Sequence, residues 1–560
     1  MTAKIRWRSW DKASFDKAKK LDRPVLLAIS AAWCHWCHVM DETTYSDPAV
    51  ASAIADKFIP VRVDNDRRPD LNRRYNMGGW PTTAILTPEG KIITGTTYEP
   101  PESMVQILNE AAEFYRNKKS RPAQQSKKRP AAAPGNELPI TAVEEFLRAA
   151  RARYDPRHGG FGFEPKFPMA DALDAVLEIG FDRQDQQLIK IAADSLRHMA
   201  SGEIFDDVAG GFFRYATRDD WSAPHFEKML EDNAKLLKLY LRAYQVTNSA
   251  EFLAVARRIF DYINETLRGG QSFFGSQAAD ETYYFLSGGE RAQRRPPAID
   301  ETTYIDWNAL AVSSYLLFAA VTGVNDAYDF SLEALDHIWI EGFSPEKGIA
   351  HYLIDGKPML SGLLNDQALM IETFIDAYEN SGNENHIGKA VRLAEFIESK
   401  LWDGDSGIFV DRPADADLGK SGEPSSLIAE NANTAIALTR LGRLTGRSEF
   451  LASAKRCLLA QANYYPEYGF LASAYIKAVN LMAKPAVDVS IIGEEPLAGR
   501  LLRAVQTRFT PRRSLRLGKQ ALDKIKSDTP GVYICVDGRC LKPAGTARDI
   551  ARELKEAASY

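Results

Sequence analysis

The spacing of apolar residues changes character along the chain. Within residues 1–116, the apolar runs VLLAIS and FIPVRVD predict two strands with a helix between them, and TTAILTPEGKIITG predicts a hairpin. A last helix, SMVQILNEAAEFYRN, completes the order strand, helix, strand, hairpin, helix. We therefore expect an α/β domain over residues 1–116.

Residues 117–139 lack periodic apolar positions. The stretch NKKSRPAQQSKKRPAAAPGNELP is rich in Lys, Arg, Pro, Ala and Gln, which predicts a linker. Its basic charge favours solvation over a nucleic-acid site.

Over residues 140–483 the apolar positions recur at helical spacing, and about twelve helices are expected. A loop of glycine and aromatic residues returns between pairs of these helices, as in HGGF, AGGF and FFG. Such a repeat predicts six hairpins closed into an all-α (α/α)6 toroid. The alternative is an open solenoid, in which we would expect more even repeats and fewer aromatic loops.

Residues 484–560 form a third, small region. VDVSIIG predicts a strand, LAGRLLRAVQTRF a helix and GVYICVDGRCLKP a hairpin, so we expect a small α/β segment. The fold class expected for the chain is thus multidomain, with a length of 560 residues that is too great for one core.

Composition narrows the function classes. The net charge of -5 gives no reason to expect a nucleic-acid partner. The N-terminus has no apolar core typical of a secretory signal, and no stretch has the length and apolar character of a membrane span. We expect a cytoplasmic protein with no membrane partner, in which the 5 cysteines are not a disulfide scaffold.

A candidate redox motif follows the first predicted strand. Cys34-His-Trp-Cys37 places Cys34 at the first turn of a helix, where backbone amides and the helix dipole favour a thiolate, and Cys37 one turn on as the resolving thiol. Pro81 stands where thioredoxins carry a cis-proline, and a cis Trp80–Pro81 bond would present the Trp80 backbone to a thiol substrate. The two motifs together predict a thioredoxin fold.

Other interpretations of the motif remain open. Cys34 and Cys37 with His38 match the haem attachment pattern, but the context is strand-led. The cysteines and histidines could hold zinc or copper, although no second pair completes a closed site. The cysteines could also merely pack, and Ala28, which stands where thioredoxins keep a buried acid, puts efficient disulfide reduction in doubt. No metal or other cofactor is expected.

A second thiol pair is a hypothesis from the C-terminal hairpin. The Asp-Gly turn between Cys535 and Cys540 sets them opposite each other on neighbouring strands, where they can form a reducible disulfide that exchanges with Cys34 and Cys37. The alternative is two thiols side by side. Cys457 is expected in the core.

The densest polar run of the toroid is WSAPHFEKMLEDN. Pro224 predicts a helix start, which would place His225 and Glu227 on the first turn as an acid–base pair, with Asp232 as a further acid. Aromatic faces, carboxylates and amides around a cavity suit a sugar. Each of these residues can equally be a helix cap. The candidate substrate-binding residues are Trp80, Trp221, Asp280, Trp307, Asn308, Asp366 and Asn433.

These motifs together resemble the family of spermatogenesis-associated protein 20 and its bacterial relatives. The resemblance is carried by WCHWCHVM, VDNDRRPDLN, GGWPTTAILTPEGK, GGFGFEPKFP, the PHFEKML block, DWNAL and VYICVDGRCLKP. It implies a thioredoxin-like domain joined to a six-hairpin toroid related to glycosidases and sugar epimerases, with roles in carbohydrate metabolism and redox chemistry. The chain departs from the family at Ser276-Gln-Ala-Ala-Asp280, where one acid is lost.

The leading hypothesis is a thiol-disulfide protein whose toroid selects a sugar-containing or protein substrate. In it Cys34 is the nucleophile, Cys37 resolves and Pro81 shapes the thiol site. The alternatives are an epimerase or glycoside hydrolase working through His225 and Glu227 with Asp232, regulated by the thioredoxin domain, and a non-catalytic binding scaffold. The sequence leaves the oligomeric state undetermined.

Overall fold

The computed structural model describes residues 4–117, 137–414 and 426–558, except 526 and 528. Its described residues divide into two compact units. An N-terminal unit takes residues up to 117 with 278–280 and 412–414, and a helical unit takes the rest, including the C-terminal segment. The predicted linker over residues 117–139 lies outside the described residues except at its ends.

The N-terminal unit is built on a sheet of four strands among the described residues, in the order β2-β1-β3-β4, with β1 parallel to β2 and antiparallel to β3. Successive residues of β1 face opposite apolar clusters, Leu26 one and Leu27 the other, so both faces of the sheet are covered. This confirms the predicted thioredoxin-like order. The elements are α1 (Lys12–Leu21), β1 (Val25–Ser30), α2 (His35–Glu42), α3 (Pro48–Lys57), β2 (Ile59–Asp64), α4 (Pro69–Tyr75), β3 (Thr82–Leu86), β4 (Ile92–Thr96) and α5 (Pro101–Asn117).

The helical unit consists mainly of long paired helices. A π-helical turn, Ile263–Leu267, follows α10, and a 3-10 turn, Gly469–Ala472, precedes α20. The helices are α6 (Thr141–Arg153), α7 (Ala170–Asp182), α8 (Gln186–Ser201), α9 (Leu230–Thr247), α10 (Ala250–Tyr262), α11 (Glu281–Tyr284), α12 (Gly288–Arg291), α13 (Ile305–Thr322), α14 (Asn325–Gly342), α15 (Leu364–Ser381), α16 (Glu384–Lys400), α17 (Ile428–Thr445), α18 (Ser448–Gln461), α19 (Tyr465–Tyr468) and α20 (Ser473–Ala483).

Six of the described helices form a closed inner ring. In the order α7, α9, α13, α15, α17, α20 each packs on the next, and α20 packs back on α7. Each inner helix has an outer partner, and the pair α20 and α6 joins the two ends of the region. Closure confirms the six-hairpin toroid and excludes the open solenoid.

Short strands connect the helices of the ring. They hold the loops at the end of the ring where the inner helices begin. Their bounds are β5 (Tyr215–Ala216), β6 (Pro224–His225), β7 (Lys228–Met229), β8 (Ser276–Gln277), β9 (Ile299–Asp300), β10 (Thr303–Tyr304), β11 (Phe343–Ser344), β12 (Gly348–Ile354), β13 (Lys357–Ser361), β14 (Trp402–Asp403) and β15 (Ile408–Phe409).

A buried amide explains the recurring glycine-aromatic loop. Asn308, in the first turn of α13, accepts the N–H of Phe273 at 2.8 Å and donates to its carbonyl at 3.0 Å. Gly275 approaches Tyr304 so closely that a Cβ would lie 2.7 Å from its ring. Each amide therefore clamps a loop to the start of an inner helix. The equivalent pairs are Asn233 with Phe212, Gln367 with Ile349 and Asn431 with Phe409.

The C-terminal segment forms a second small α/β layer, with the strand order β17-β16-β18-β19. It is anchored to the ring by Glu379 of α15, which accepts from the Arg513 guanidinium at 2.8 Å and from the Leu515 N–H at 3.1 Å. The strand, helix and hairpin predicted here are confirmed, whereas β17 was not predicted. The elements are β16 (Val487–Ile492), α21 (Leu497–Gln506), β17 (Arg513–Leu517), α22 (Gly518–Ile525), β18 (Gly531–Val536), β19 (Arg539–Cys540) and α23 (Ala547–Ala558).

Helix α13 is apolar along most of its length. Among the described residues it alone combines the length and composition that would allow a membrane crossing, and 67% of it is buried inside the helical unit. Its apolar surface is accounted for by its place in the inner ring.

Candidate functional site

The thiol site lies where β1 turns into α2. Cys34 is the N-cap residue of α2, with extended backbone, and its Sγ accepts the backbone N–H of Cys37 at 3.2 Å. The two cysteines form a disulfide with Cα atoms 5.3 Å apart, and each side chain is 4% exposed. The two cysteines thus lie at the N-terminus of a helix, where the sequence predicted them.

Two tryptophans flank the thiol pair. Trp33 packs edge-on against Trp80 with ring centroids 5.7 Å apart, and the Trp80–Pro81 peptide bond is cis. The Trp80 indole donates to Asn72 at 3.1 Å. The predicted residues Cys34, Trp80 and Pro81 therefore belong to one aromatic-walled region.

The surroundings of the thiols hold one feature that sequence reasoning missed. Asp66, which follows β2, is 7% exposed and accepts the indole N–H of Trp33 at 2.7 Å. Ala28 lies in the apolar cluster of the sheet, opposite Thr83 on β3. The buried carboxylate of this region thus comes from the loop after β2, and the acidic run VDND was its only signal.

A second polar centre lies at the first turns of the inner helices. Donor atoms of Asp306 on α13, His351 on β12 and Asp366 on α15 all lie within 4.8 Å of one another. His351 Nδ1 is 3.0 Å from Asp366 Oδ1, and both side chains are buried. Asp366 was predicted, whereas His351 was missed because a single histidine in a strand has no spacing signature.

The carboxyl groups of this centre are electrostatically linked. Burial, with Asp366 second, raises the pKa of Asp306 to about 7, while His351 opposes the rise. Burial, with Glu231 second, raises the pKa of Asp232 to about 6, and Glu231 also acts on Asp306. Two acids are therefore held near the range in which general acid–base groups work.

Amides and an indole extend the centre. Asn365 donates to Asp306 Oδ2 at 3.3 Å, and Asn433 donates to Asn365 at 3.1 Å. Trp307 packs against Tyr304 with ring centroids 4.5 Å apart. The structure thus brings the predicted residues Trp307, Asp366 and Asn433 to the same end of the ring.

The predicted helix start at Pro224 is wrong. Pro224 and His225 form β6, which pairs with β5, and the helix begins only at Leu230. The preceding proline is used as an edge residue of a two-residue strand. His225 stacks on Tyr215 at 4.4 Å, and its Nδ1 is 3.9 Å from Oε2 of Glu227.

Glu227 is a buried acid with one carboxylate oxygen left without a hydrogen bond in the described part of the chain. Its side chain is buried, and Oε2 has no hydrogen-bond partner among the described residues. His225 and Glu227 lie one short strand before α9, whose first turn carries Asp232.

Two predicted substrate-binding residues are packed inside the fold. Trp221 is fully buried and donates to the His158 carbonyl at 2.8 Å, so its indole packs a loop. Asn308 is fully buried, and its amide is spent on backbone groups. A third predicted residue, Asp280, belongs by its contacts to the N-terminal unit, as Trp80 does.

Another acid–histidine group, Asp155, His158 and Asp219, has donor atoms at similar spacing. The Lys166 ammonium already bonds Asp155 Oδ2 at 2.7 Å, so a cation fills this position. In the Asp306 centre, His351 and Asp366 bond each other, and the donors satisfy one another without an ion.

Comparison with known proteins identifies relatives of this chain. Residues 1–132 match the family model Thioredox_DsbH, described as "Protein of unknown function, DUF255". Human spermatogenesis-associated protein 20 is 31% identical over 343 residues, 56% of this chain and 42% of the human protein. The chain is a homologue of spermatogenesis-associated protein 20. An uncharacterized protein of Caenorhabditis elegans is 25% identical over 585 residues, covering 81% of this chain and 80% of its own length.

The human spermatogenesis-associated protein 20 alignment spans about two fifths of that protein. The solved structure of a cellobiose 2-epimerase from Bacillus thermoamylovorans is similar in fold, with a TM-score of 0.48 and 12% sequence identity. The similarity covers 58% of this chain and 87% of the epimerase chain. A likeness of this size carries no conclusion about activity.

Proposed function

We propose that this chain carries out thiol–disulfide exchange through Cys34 and Cys37. The observation that carries the proposal is the position of Cys34 at the N-cap of α2, where its sulfur accepts the Cys37 N–H. Backbone donors at a helix N-terminus stabilise a thiolate, which is the nucleophilic form of cysteine.

The chemistry is a two-electron exchange. The Cys34 thiolate attacks one sulfur of a substrate disulfide, the substrate S–S bond breaks, and the other substrate sulfur leaves as a thiolate that takes up a proton. The Cys37 thiolate then attacks the Cys34 sulfur of the mixed disulfide and releases the second substrate thiol. The substrate is reduced and the pair is oxidised, so a cellular dithiol must reduce the pair for another cycle.

A cytoplasmic setting is part of the proposal, because reducing compartments regenerate dithiols. The substrate is a disulfide, carried by a protein or by a sugar-containing molecule. The half-buried ring of Trp80, which packs on the buried Trp33, supports an apolar or aromatic group beside the reacting sulfur.

The test is equilibration of the purified full chain in glutathione buffers, followed by alkylation and mass spectrometry. We expect Cys34 and Cys37 to interconvert reversibly between dithiol and disulfide. Cys457 is the internal control, since burial raises the pKa of its thiol to about 12 and it should stay unmodified. In Cys37→Ser, Cys34 should instead form a glutathione adduct. A Cys34–Cys37 pair whose redox state stays the same in all buffers would contradict the proposal.

A second candidate function is acid–base chemistry on a sugar at the Asp306 centre. The specific observation in its favour is Asp306, with a raised pKa of about 7, whose donor atom lies within 4.8 Å of those of His351 and Asp366. The test is incubation with reducing sugars in D2O, monitored by NMR for deuterium uptake at carbon or for new epimers. Uptake that is lost in Asp306→Asn would support it, and no uptake with a panel of hexoses and disaccharides would contradict it.

A further inference from the structure

The helical unit contains a cavity at the end of the ring opposite to the Asp306 centre. It has a volume of about 170 Å³ and lies between the C-terminal halves of the inner helices and residues 508–514 of the C-terminal segment. The C-terminal segment therefore closes this end of the ring.

Cations outnumber anions in the lining. The described lining residues include eight Lys or Arg side chains and four carboxylates. The carboxylates already have cationic partners. Asp376 accepts from Arg440 at 2.7 Å, and Glu379 accepts from Arg513 at 2.8 Å. Asp174 pairs with Arg242 and Lys477, and Asp182 pairs with Arg512. The excess of positive charge that remains is carried by the two lining cations without an ion pair among the described residues, Arg443 and Arg508.

Arg443 is the clearest part of that excess. Its Nη2 donates to the carbonyls of Leu481 and Lys484 at 2.8 and 2.6 Å, whereas its Nη1 is buried and has no partner among the described residues. No carboxylate within the described part of the chain forms an ion pair with it. Burial, with the charge of Arg512 second, lowers the pKa of Arg443 to about 10. Asp488 opposes the fall in pKa but forms no ion pair with Arg443. A buried guanidinium without a direct ion pair is costly unless an anion joins it.

Arg508 supplies a second uncommitted cation at the rim. Its side chain lines the cavity on the exposed loop after α21 and makes no ion pair among the described residues. A guanidinium fork suits two oxygens of one tetrahedral oxyanion.

We propose that this cavity binds a small oxyanion of the phosphate class, inorganic phosphate or a small phosphate monoester, with Arg443 and Arg508 as binding residues. The anion neutralises the surplus charge and ties the C-terminal segment to the ring. The site shares no residue with the thiol pair or with the Asp306 centre, so it does not depend on the function proposed for either.

The experiment is titration of the full chain with sodium phosphate at constant ionic strength set with sodium chloride, followed by calorimetry and thermal unfolding. We expect saturable binding and a rise in Tm with phosphate. Arg508→Ala should leave the Tm without phosphate unchanged and weaken the phosphate Kd about tenfold, the loss of one charge-assisted contact. Arg443→Gln should weaken binding at least as much.

The matched control is Arg447→Gln, because Arg447 follows the same helix, α17, but pairs with Glu395 on the outside. It should bind phosphate as the parent chain does. Glycerol 3-phosphate, titrated in parallel, binds more tightly than phosphate if the site is built for an ester, and no more tightly if it is built for the free anion. A Tm rise that chloride reproduces, or phosphate binding unchanged in Arg508→Ala and Arg443→Gln, would overturn the proposal.

Discussion

Trp33 donates its indole N–H to the buried carboxylate of Asp66 over 2.7 Å, and Trp33 immediately precedes Cys34. The other Asp66 oxygen accepts from Asn65 at 2.6 Å. Because both oxygens are engaged, this carboxylate holds the turn that places Cys34 at the start of α2. Asp66 is therefore a positioning residue for the thiol site.

Replacing Asp66 by Asn should loosen this turn. The amide can satisfy only one of the two donors with oxygen, so we expect the free energy of unfolding to fall by about 1–3 kcal/mol. Urea unfolding followed by tryptophan fluorescence measures the change. Asp16→Asn, which removes an exposed pair with Lys12, is the control and should change it by less than about 0.5 kcal/mol. Equal effects would show that the Asp66 contact is unimportant.

Asn308 and Asn433 should contribute differently to the free energy of unfolding. Asn308→Ala leaves the buried N–H and carbonyl of Phe273 unpaired, so we expect a loss of about 2–4 kcal/mol in thermal or urea unfolding. Asn433→Ala removes one half-buried contact to Asn365 and should cost under about 1 kcal/mol. A larger loss at Asn433 than at Asn308 would contradict the structural role of the loop clamp.

Asp306 predicts a pH dependence of stability. Its pKa of about 7 is raised above the value near 4 expected in the unfolded chain, so the folded state binds its proton more tightly. Its stabilising contribution is complete below about pH 4 and disappears as the pH rises through about 7. Asp306→Asn should therefore flatten the fall in Tm over this interval. The exposed Asp329→Asn is the control, and an unchanged slope in Asp306→Asn would be the contrary result.

The C-terminal disulfide offers a substrate for the thiol pair. Cys535 and Cys540 face each other on β18 and β19 with Cα atoms 3.9 Å apart, and Cys540 is exposed whereas Cys535 is buried. In Cys37→Ser with Cys34 as the free thiolate and the Cys535–Cys540 disulfide intact, we expect Cys34 to attack the exposed Cys540 sulfur. The Cys535–Cys540 bond breaks, Cys535 leaves as a thiolate that takes up a proton, and a Cys34–Cys540 mixed disulfide forms within one chain or between two.

Peptide mapping without reduction would detect that adduct. The control adds Cys535→Ser and Cys540→Ser to the same chain, which should remove it. A Cys34 that forms adducts with glutathione but never with Cys540 would rule out this exchange.

Local signals in the sequence were sufficient for the thiol site and the ring. Cys34, Cys37 and Pro81 lie in short segments whose conformation is set by neighbouring residues, and the helical period with its glycine-aromatic loops predicted the toroid. The loops recur because each must fit an amide clamp such as Asn308, a contact that only the folded pair of segments reveals.

The Asp306 centre was harder to predict from the sequence than the thiol site. It is assembled from α13, β12 and α15, which lie apart in sequence, so His351 carried no spacing signal. Pro224 was misplaced because proline suits both a helix start and an edge strand, and tertiary pairing with β5 decides between them.

Closure of the ring has a consequence for how the protein is made. Helix α6 packs against α20, and Phe146 stacks on Phe470 with centroids 5.0 Å apart, although more than three hundred residues separate them. During synthesis at about 5–20 residues per second, the apolar face of α6 must wait on the order of 15–60 s for its partner. The apolar face of α6 is therefore exposed on the nascent chain until α20 has been synthesised. A ribosome-associated chaperone can bind α6 during that interval.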